Sequence, residues 1–191
     1  MGAIKATLPL RPPWGVPDGE VAIARILRLC GPLGRRIVVL GHHAEAIRGA
    51  CSDADFARNP DPERGMFSSV QAGLRMALQV QRPPAAVLLW PVDVPLVSVH
   101  TVRALFGAGA PGDSPDRRWV RFVAHDRPGA ASGHPLLVSR ATAAGILSAP
   151  GGRLDHLLME SGVVRTTVQV ADPYVGIDLD TWADAAPYLK K

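Results

Sequence analysis

The chain has 191 residues, of which 47% are hydrophobic and 20% are charged. This composition is typical of a compact folded protein and excludes a disordered or collagen-like chain. The length suits one domain over residues 1–191 with a sizeable core. No apolar run is long enough to span a bilayer, and no charged leader precedes a hydrophobic segment. We therefore expect a cytoplasmic protein that has no membrane partner.

The charge and the cysteines exclude further classes of protein. The formal net charge is +4, but the basic residues are scattered and only 5% of the chain is aromatic. A nucleic-acid-binding surface usually clusters its basic residues, so we expect anionic small molecules rather than nucleic acid as ligands. Cys30 and Cys51 form neither a CxxC motif nor a disulfide framework, and we expect them to be small buried side chains.

Helical and extended patterns alternate along the chain. This alternation predicts an α/β fold with a largely parallel sheet. The predicted elements are a helix over 19–30, a strand over 37–40, a helix over 44–51, a helix capped by Ser68 or Ser69, a strand over 87–90, a helix capped by Ser98, strands over 119–124 and 136–138, a helix over 140–147, a helix after 151–152, a strand over 164–170 and a short final helix.

The stretch Val87–Leu96 organises the rest of the chain. Its apolar first half predicts a central strand that is buried on both faces. Asp93 follows this strand between Pro91 and Pro95, and each proline restricts the backbone around the carboxylate. Open α/β sheets bind ligands at the carboxyl ends of their strands. Asp93 therefore either caps a turn or holds a hard cation such as Mg²⁺, which often takes one or two carboxylates together with substrate phosphates.

Two other stretches carry polar groups that suit nucleotide chemistry. Residues 65–73 read GMFSSVQAG, a glycine- and serine-rich helix start that is either an ordinary cap or a site for a base edge or an anion. Asp178 and Asp180 lie two apart, so they point to the same side if the chain is extended there. Two carboxylates from distant segments that meet at one cation would serve phosphoryl or nucleotidyl transfer. Asp180 is also well placed to cap the last helix.

The ordered set of these motifs resembles the MobA-like nucleotidyltransferases, and within them the molybdenum cofactor cytidylyltransferase branch. The resemblance covers almost the whole chain, and the order of the segments carries it rather than any one of them. The segments are Met1–Leu10, Asn59-Pro60, Gly65-Met66, Ser68-Ser69, Ala72-Gly73, Pro91–Leu96, Gly133-His134-Pro135, Gly152-Arg153 and Ile177–Thr181.

The resemblance implies a Rossmann-like domain of the GT-A type that transfers a nucleotidyl group from an NTP to a phosphorylated acceptor with Mg²⁺. The Ser68-Ser69 pair resembles the cytidylyl branch, so CTP is the implied nucleotide and molybdopterin the implied acceptor. The implied roles are catalysis for Lys5 and Asp93, phosphate contact for Lys5, nucleotide binding for Gly65, Ser68, Ser69, Gly73 and Pro91, metal binding for Asp93 and Asp178, and acceptor binding for Gly133, His134 and Pro135.

One part of the family pattern is missing from this sequence. The family begins with a strand and a glycine-rich loop directly before the Met-Gly pair, which here is Met1-Gly2. We therefore expect a sheet that lacks its first strand. The intact pattern around Lys5 favours a misplaced start and a longer active protein over a truncated, inactive relative.

Two other functions remain open at this point. One is a nucleotidyltransferase that acts on a sugar phosphate. The other is a catalytically silent module that binds or helps to assemble a molybdoenzyme, with that enzyme or a chaperone as its partner.

Overall fold

The computed structural model describes residues 4–11, 19–51, 53–109, 113–127, 129–130, 132–160 and 162–190. Strands and helices alternate along these residues, as the sequence predicts. The elements are α1 (Ala22–Cys30), β1 (Ile37–Leu40), α2 (Ala44–Gly49), β2 (Asp55–Arg58), α3 (Met66–Leu78), β3 (Ala86–Leu89), α4 (Val99–Gly107), β4 (Trp119–His125), β5 (Ser132–Ser139), α5 (Arg140–Ser148), α6 (Leu154–Met159), β6 (Val164–Val170) and α7 (Trp182–Ala185). A short 3-10 helix over Lys5–Thr7 precedes them.

Within the described residues, the strands form two sheets, and no strand of one sheet pairs with a strand of the other. β1 and β2 make a parallel pair, and the larger sheet has the order β3-β5-β4-β6. β4 and β6 are parallel, whereas β5 is antiparallel to both of its neighbours, so β3, β4 and β6 share one direction. The expectation of a mostly parallel α/β fold is therefore confirmed. No strand of the described residues joins β1 to β3.

The position of β3 differs from the prediction in one respect. β3 lies at the edge of the larger sheet and is half-buried, not central and fully buried. Both of its faces are nevertheless covered. Val87 and Leu89 pack against the cluster that contains Leu74, while Leu88 packs against the cluster that contains Leu105. The apolar run predicts covered faces correctly, but it carries no information about an unpaired edge.

Helix α3 packs against both sheets. Phe67 and Leu74 belong to the core of the larger sheet. On another side of the helix, a β-carbon added at Gly73 would lie 2.9 Å from Cγ2 of Val39 in β1. The absence of a side chain at Gly73 therefore lets α3 lie directly against β1.

The carboxyl ends of β1 and β3 are brought together by a separate cluster. Val38, Leu40 and Ala6 are buried there, and Val92 packs against them from the segment that follows β3. The 3-10 helix that carries Lys5 is thus placed where both sheets present their carboxyl ends.

No helix among the described residues is both long enough and apolar enough to cross a membrane. Cys30 and Cys51 are free thiols and are partly rather than fully buried. Burial raises the pKa of the Cys30 thiol to about 11 and also raises that of Cys51.

Candidate active site

The segment after β3 forms a tight, hydrogen-bonded turn that presents Asp93. The amide of Val94 donates to the carbonyl of Pro91 at 3.2 Å, and the indole Nε1 of Trp90 donates to the carbonyl of Val94 at 2.8 Å. The amide of Leu179 donates to the carbonyl of Asp93 at 2.7 Å. This last bond ties the turn to the segment that contains Asp178, so two stretches far apart in sequence meet here.

A buried arginine holds the far side of the same turn. Arg25, on α1, is 3% exposed. Its Nε donates to the carbonyl of Pro95 at 2.7 Å, and its Nη2 donates to the carbonyls of Leu96 and Val97 at 3.3 Å each. One cation thus satisfies three backbone carbonyls, which fixes the turn against α1. This role was not predicted from the sequence, although an arginine on the apolar face of a predicted helix is a usable signal.

A buried aspartate anchors the loop that follows β6. Asp172 is 6% exposed. Its Oδ2 accepts from the amide of Ser98 at 2.8 Å and from the hydroxyl of Thr101 at 2.6 Å, while its Oδ1 accepts from the amide of Tyr174 at 3.1 Å. Asp172 therefore fixes this loop to the start of α4, and it too was missed because its position in a loop resembles an ordinary turn.

The residues after this loop present two carboxylates to solvent. Asp178 and Asp180 are exposed and Leu179 between them is buried, as the predicted extended alternation requires. Asp180 does not cap the last helix. Thr181 and Asp184 form a capping box there, and Asp180 Oδ1 instead lies 2.6 Å from Lys5 Nζ.

Strand β5 brings a histidine to the same place. Leu136 of β5 pairs with Leu89 of β3, so the preceding residues of β5 run beside the turn after β3. Gly133, His134 and Pro135 therefore lie on a strand, whereas the sequence pattern predicted that this strand begins only at Leu136. A β-carbon at Gly133 would lie 3.5 Å from the backbone nitrogen of Gly176, so this part of β5 packs closely against the segment that leads to Asp178.

Electrostatic interactions link these groups. Burial raises the pKa of Asp93; the charge of Lys5 opposes this, and the carboxylates of Asp178 and Asp180 add to it. Burial lowers the pKa of His134, against the opposing pull of Asp93 and Asp178. Four of the residues singled out in the sequence, Lys5, Asp93, His134 and Asp178, are thus brought together, and Asp180 joins them.

Asp93, Asp178 and Asp180 form an acidic cluster whose composition fits a divalent cation. Asp93 is desolvated and faces two further carboxylates, and a cation would relieve their mutual repulsion. Among the described residues, no three His, Cys, Asp or Glu side chains are placed to hold a metal by themselves. A cation here would take its remaining oxygen ligands from phosphate or water, as Mg²⁺ commonly does.

The glycine- and serine-rich stretch forms a separate polar group at the start of α3. The helix begins at Met66 after Gly65, so neither serine is its cap, contrary to the prediction. Asn59, at the carboxyl end of β2, donates from Nδ2 to Ser68 Oγ at 2.9 Å and to Ser69 Oγ at 3.0 Å. Ser68 is buried and donates to the carbonyls of Gly65 and Asp61.

The two serines therefore differ in what they can offer a ligand. The hydroxyl hydrogen of Ser68 is used inside the protein, whereas Ser69 is partly exposed and donates no hydrogen bond within the described residues. Gly73 lies against Val39 instead of pointing to open space. In the sequence, Asn59 stands out only as part of an Asn-Pro pair, and the role of its buried side chain was not predicted.

A separate depression lies at the amino ends of β1 and β2, away from the acidic cluster. Gly34, Arg35, Arg36 and Asp53–Asp55 line it. Arg35 pairs with Asp55 at 2.6 Å, and Arg36 pairs with Asp53. These mutual ion pairs account for its charged residues.

Comparison with known proteins identifies the family to which the chain belongs. A family model described as a MobA-like NTP transferase domain matches residues 1–165. No curated protein gives a significant match. Among solved structures, Rv0371c from Mycobacterium tuberculosis H37Rv is 23% identical with a TM-score of 0.71, and the alignment covers 100% of this chain and 91% of that chain. A second structure of that protein, in complex with manganese, is 21% identical over 88% of this chain and 85% of that chain, with a TM-score of 0.65.

Two other structures share the fold. The 4-diphosphocytidyl-2C-methyl-D-erythritolsynthase from Anaerococcus prevotii DSM 20548 is 13% identical with a TM-score of 0.65, over 93% of this chain and 88% of that chain. The molybdopterin-guanine dinucleotide biosynthesis protein A from Archaeoglobus fulgidus is 16% identical with a TM-score of 0.56, over 87% of this chain and 76% of that chain. Because the family model covers well over half of the residues, the chain belongs to the MobA-like NTP transferase domain family.

Proposed function

We propose that this nucleotidyltransferase transfers CMP from CTP to the terminal phosphate of a phosphorylated acceptor such as molybdopterin. The observation that carries the proposal is the convergence of Lys5, Asp93, His134 and Asp178 at the carboxyl end of β3, beside the first residues of β5. Family membership supports the reaction class. The printed names of two proteins with the same fold, one a diphosphocytidyl-erythritol synthase and one a molybdopterin-guanine dinucleotide protein, support a nucleotide and an acceptor of this kind.

The proposed reaction forms one P–O bond and breaks another. An oxygen of the acceptor phosphate attacks the α-phosphorus of CTP, the bond to the bridging oxygen of the β-phosphate breaks, and pyrophosphate leaves with that electron pair. The acceptor phosphate is already ionised at neutral pH, so the step requires no strong side-chain base. The main tasks of the protein are to position the two phosphates and to balance their charge.

Asp93 and Asp178 would hold a divalent cation, Mg²⁺ in our proposal. When bound, the cation neutralises negative charge on the phosphates. The manganese complex of Rv0371c supports the use of a divalent metal by a protein of this fold. Lys5 would contribute a compact positive charge towards the polyphosphate, and its position where the carboxyl ends of β1 and β3 meet suits that role.

The remaining proposed contacts divide between nucleotide and acceptor. Gly65, Ser69 and Pro91 would contact the nucleotide, with Ser68 and Gly73 shaping that surface from inside. Gly133, His134 and Pro135 would border the acceptor. Because burial lowers the pKa of His134, its imidazole is neutral near pH 7 and can donate one hydrogen bond and accept another.

A panel of nucleotides and acceptors tests the proposed function. The protein is incubated with each of the four NTPs, Mg²⁺ and either molybdopterin or a sugar phosphate, and pyrophosphate release is followed together with the nucleotidylated product. We expect product with CTP and molybdopterin. Product with a sugar phosphate alone would reassign the acceptor, and nucleotide binding without product under every combination would favour a silent binding module.

A further inference from the structure

Lys5, the group that is proposed to bind the polyphosphate, forms an ion pair with Asp180. Lys5 Nζ lies 2.6 Å from Asp180 Oδ1, and the two side chains are 33% and 59% exposed. At this distance the ammonium donates a charge-assisted hydrogen bond to the carboxylate. The positive charge is therefore directed at a carboxylate of the protein.

The backbone on both sides of this pair is fixed. Near Lys5, the amide of Ala22 donates to the carbonyl of Leu8 at 3.1 Å. Asp180 stands between Leu179, whose amide is bonded to the Asp93 carbonyl, and Thr181, which begins the capping box of α7. Because both side chains are partly exposed, their rotation can separate the two charges.

Breaking the ion pair between Lys5 and Asp180 also costs little free energy. Ion pairs between exposed side chains contribute little to stability because water solvates the separated charges well. A polyphosphate carries several negative charges and many acceptor oxygens, so it competes strongly with a single carboxylate for an ammonium group. Asp93 and Asp178 add to the negative potential around Asp180, and this potential repels a polyphosphate that carries no cation.

We propose that Asp180 is a resident counter-ion of Lys5, which the polyphosphate replaces on binding, and that it makes the site discriminate against metal-free polyphosphate. The inference rests on the proposed function only in that Lys5 receives the phosphates. Asp180 is a positioning residue in this scheme. It acts through Lys5 and through the acidic cluster, and it opposes polyphosphate binding most when no cation is present.

Inorganic pyrophosphate is the probe that tests this proposal. Its affinity is measured by calorimetry in the presence of EDTA and then with Mn²⁺, for the parent protein, for Asp180→Asn and for the control Asp155→Asn. Asp155 is an exposed aspartate in the first turn of α6 that pairs with Arg153 at 2.8 Å, so the control removes the same charge from a similar ion pair. Melting temperatures show that each variant is folded.

We expect Asp180→Asn to bind metal-free pyrophosphate about three- to tenfold more tightly than the parent, because a competing carboxylate and its repulsion are removed. The gain in affinity on adding Mn²⁺ should be smaller in Asp180→Asn than in the parent. Asp155→Asn should match the parent in both conditions. In a Lys5→Ala background, the effect of Asp180→Asn should shrink, since the two residues act on one contact.

Unchanged or weaker metal-free binding in Asp180→Asn overturns the inference, even if the protein proves to transfer nucleotidyl groups. Tighter binding in Asp180→Asn together with no transfer in the nucleotide panel supports the inference and overturns only the proposed reaction. A parent and a variant that both fail to bind pyrophosphate overturn the inference and the phosphate role of Lys5 together.

Discussion

At the scale of single residues, the site combines the positive charge of one lysine with several carboxylates. Lys5 forms an ion pair with Asp180 and also interacts with Asp93, a more buried carboxyl group whose pKa is raised by that burial. Lys5 is also the only lysine outside the carboxyl-terminal pair, in a chain that otherwise uses arginine. An ammonium differs from a guanidinium in being a compact point charge, which suits contact with one phosphate at a time.

Lys5→Ala should therefore weaken triphosphate binding more than nucleoside binding. Loss of a hydrogen bond to a charged group costs about 1.5–3 kcal/mol, which corresponds to roughly 10- to 100-fold in the affinity for CTP. Cytidine affinity should change little. The measurement is calorimetric titration of both ligands, with Lys190→Ala as a control that removes the same side chain elsewhere. Equal losses for CTP and cytidine would assign Lys5 to packing.

At the scale of secondary-structure elements, two contacts set the position of the site. Arg25 on α1 holds the turn that presents Asp93, and Gly73 on α3 lets that helix lie against β1. Neither contact involves a group that reacts. Both decide how the elements that carry the reacting groups are placed relative to each other.

Arg25→Met should destabilise the protein by about 2–3 kcal/mol, because carbonyls at residues 95–97 lose a charged donor inside the core. Arg28→Met is the matched control. Arg28 lies on the same helix, its side chain is 46% exposed, and it pairs with Glu20, so its loss should cost no more than about 1 kcal/mol. Denaturant unfolding measures both variants. A stability for Arg25→Met equal to that of Arg28→Met would contradict the proposed anchoring.

Gly73→Ala should cost about 1–3 kcal/mol, because the new methyl group would lie 2.9 Å from Cγ2 of Val39 and one of the two must move. Gly49→Ala, at the end of α2 where a β-carbon meets nothing within 4 Å, should leave stability unchanged or slightly higher. In a Val39→Ala background the cost of Gly73→Ala should largely disappear. A cost that persists in that background would point to a role of Gly73 other than contact with β1.

The sequence predicts elements well where a pattern is strong and local. Ile37–Leu40 is an uninterrupted apolar run, and it forms the predicted strand β1. Strand β2 was missed because it has only four residues and two of them are exposed. The first half of β5 was missed because Gly133 and Pro135 are more typical of loops, and here they lie on a strand that packs against Gly176.

At the scale of the whole molecule, the site forms where segments distant in sequence converge. The family resemblance implies that Asp93 and Asp178 meet, and the bond from the amide of Leu179 to the carbonyl of Asp93 joins their two segments. The pairing of Lys5 with Asp180 could not be predicted, since it depends on side-chain positions that tertiary packing sets. The same holds for Arg25, whose burial follows from the turn that it supports.

The charge of Asp93 allows a direct test of the claim that Asp93 is a metal ligand. Because burial and the neighbouring carboxylates raise the pKa of Asp93, ionising this carboxyl group costs more free energy in the folded protein than in the unfolded chain. Asp93→Asn removes that unfavourable charge, so its melting temperature should equal or exceed that of the parent. A loss of function in this variant would then report on ligand binding and not on unfolding.

The most direct measurement is the affinity for CTP of the parent and of Asp93→Asn, each in EDTA and in Mg²⁺, with Asp155→Asn as the control for charge. We predict that Mg²⁺ increases the CTP affinity of the parent and of Asp155→Asn, and that Asp93→Asn binds CTP in EDTA at least as well as the parent but gains nothing from Mg²⁺. An equal gain from Mg²⁺ in Asp93→Asn and in the parent would contradict the assignment of Asp93 as a metal ligand and, with it, the proposed active site.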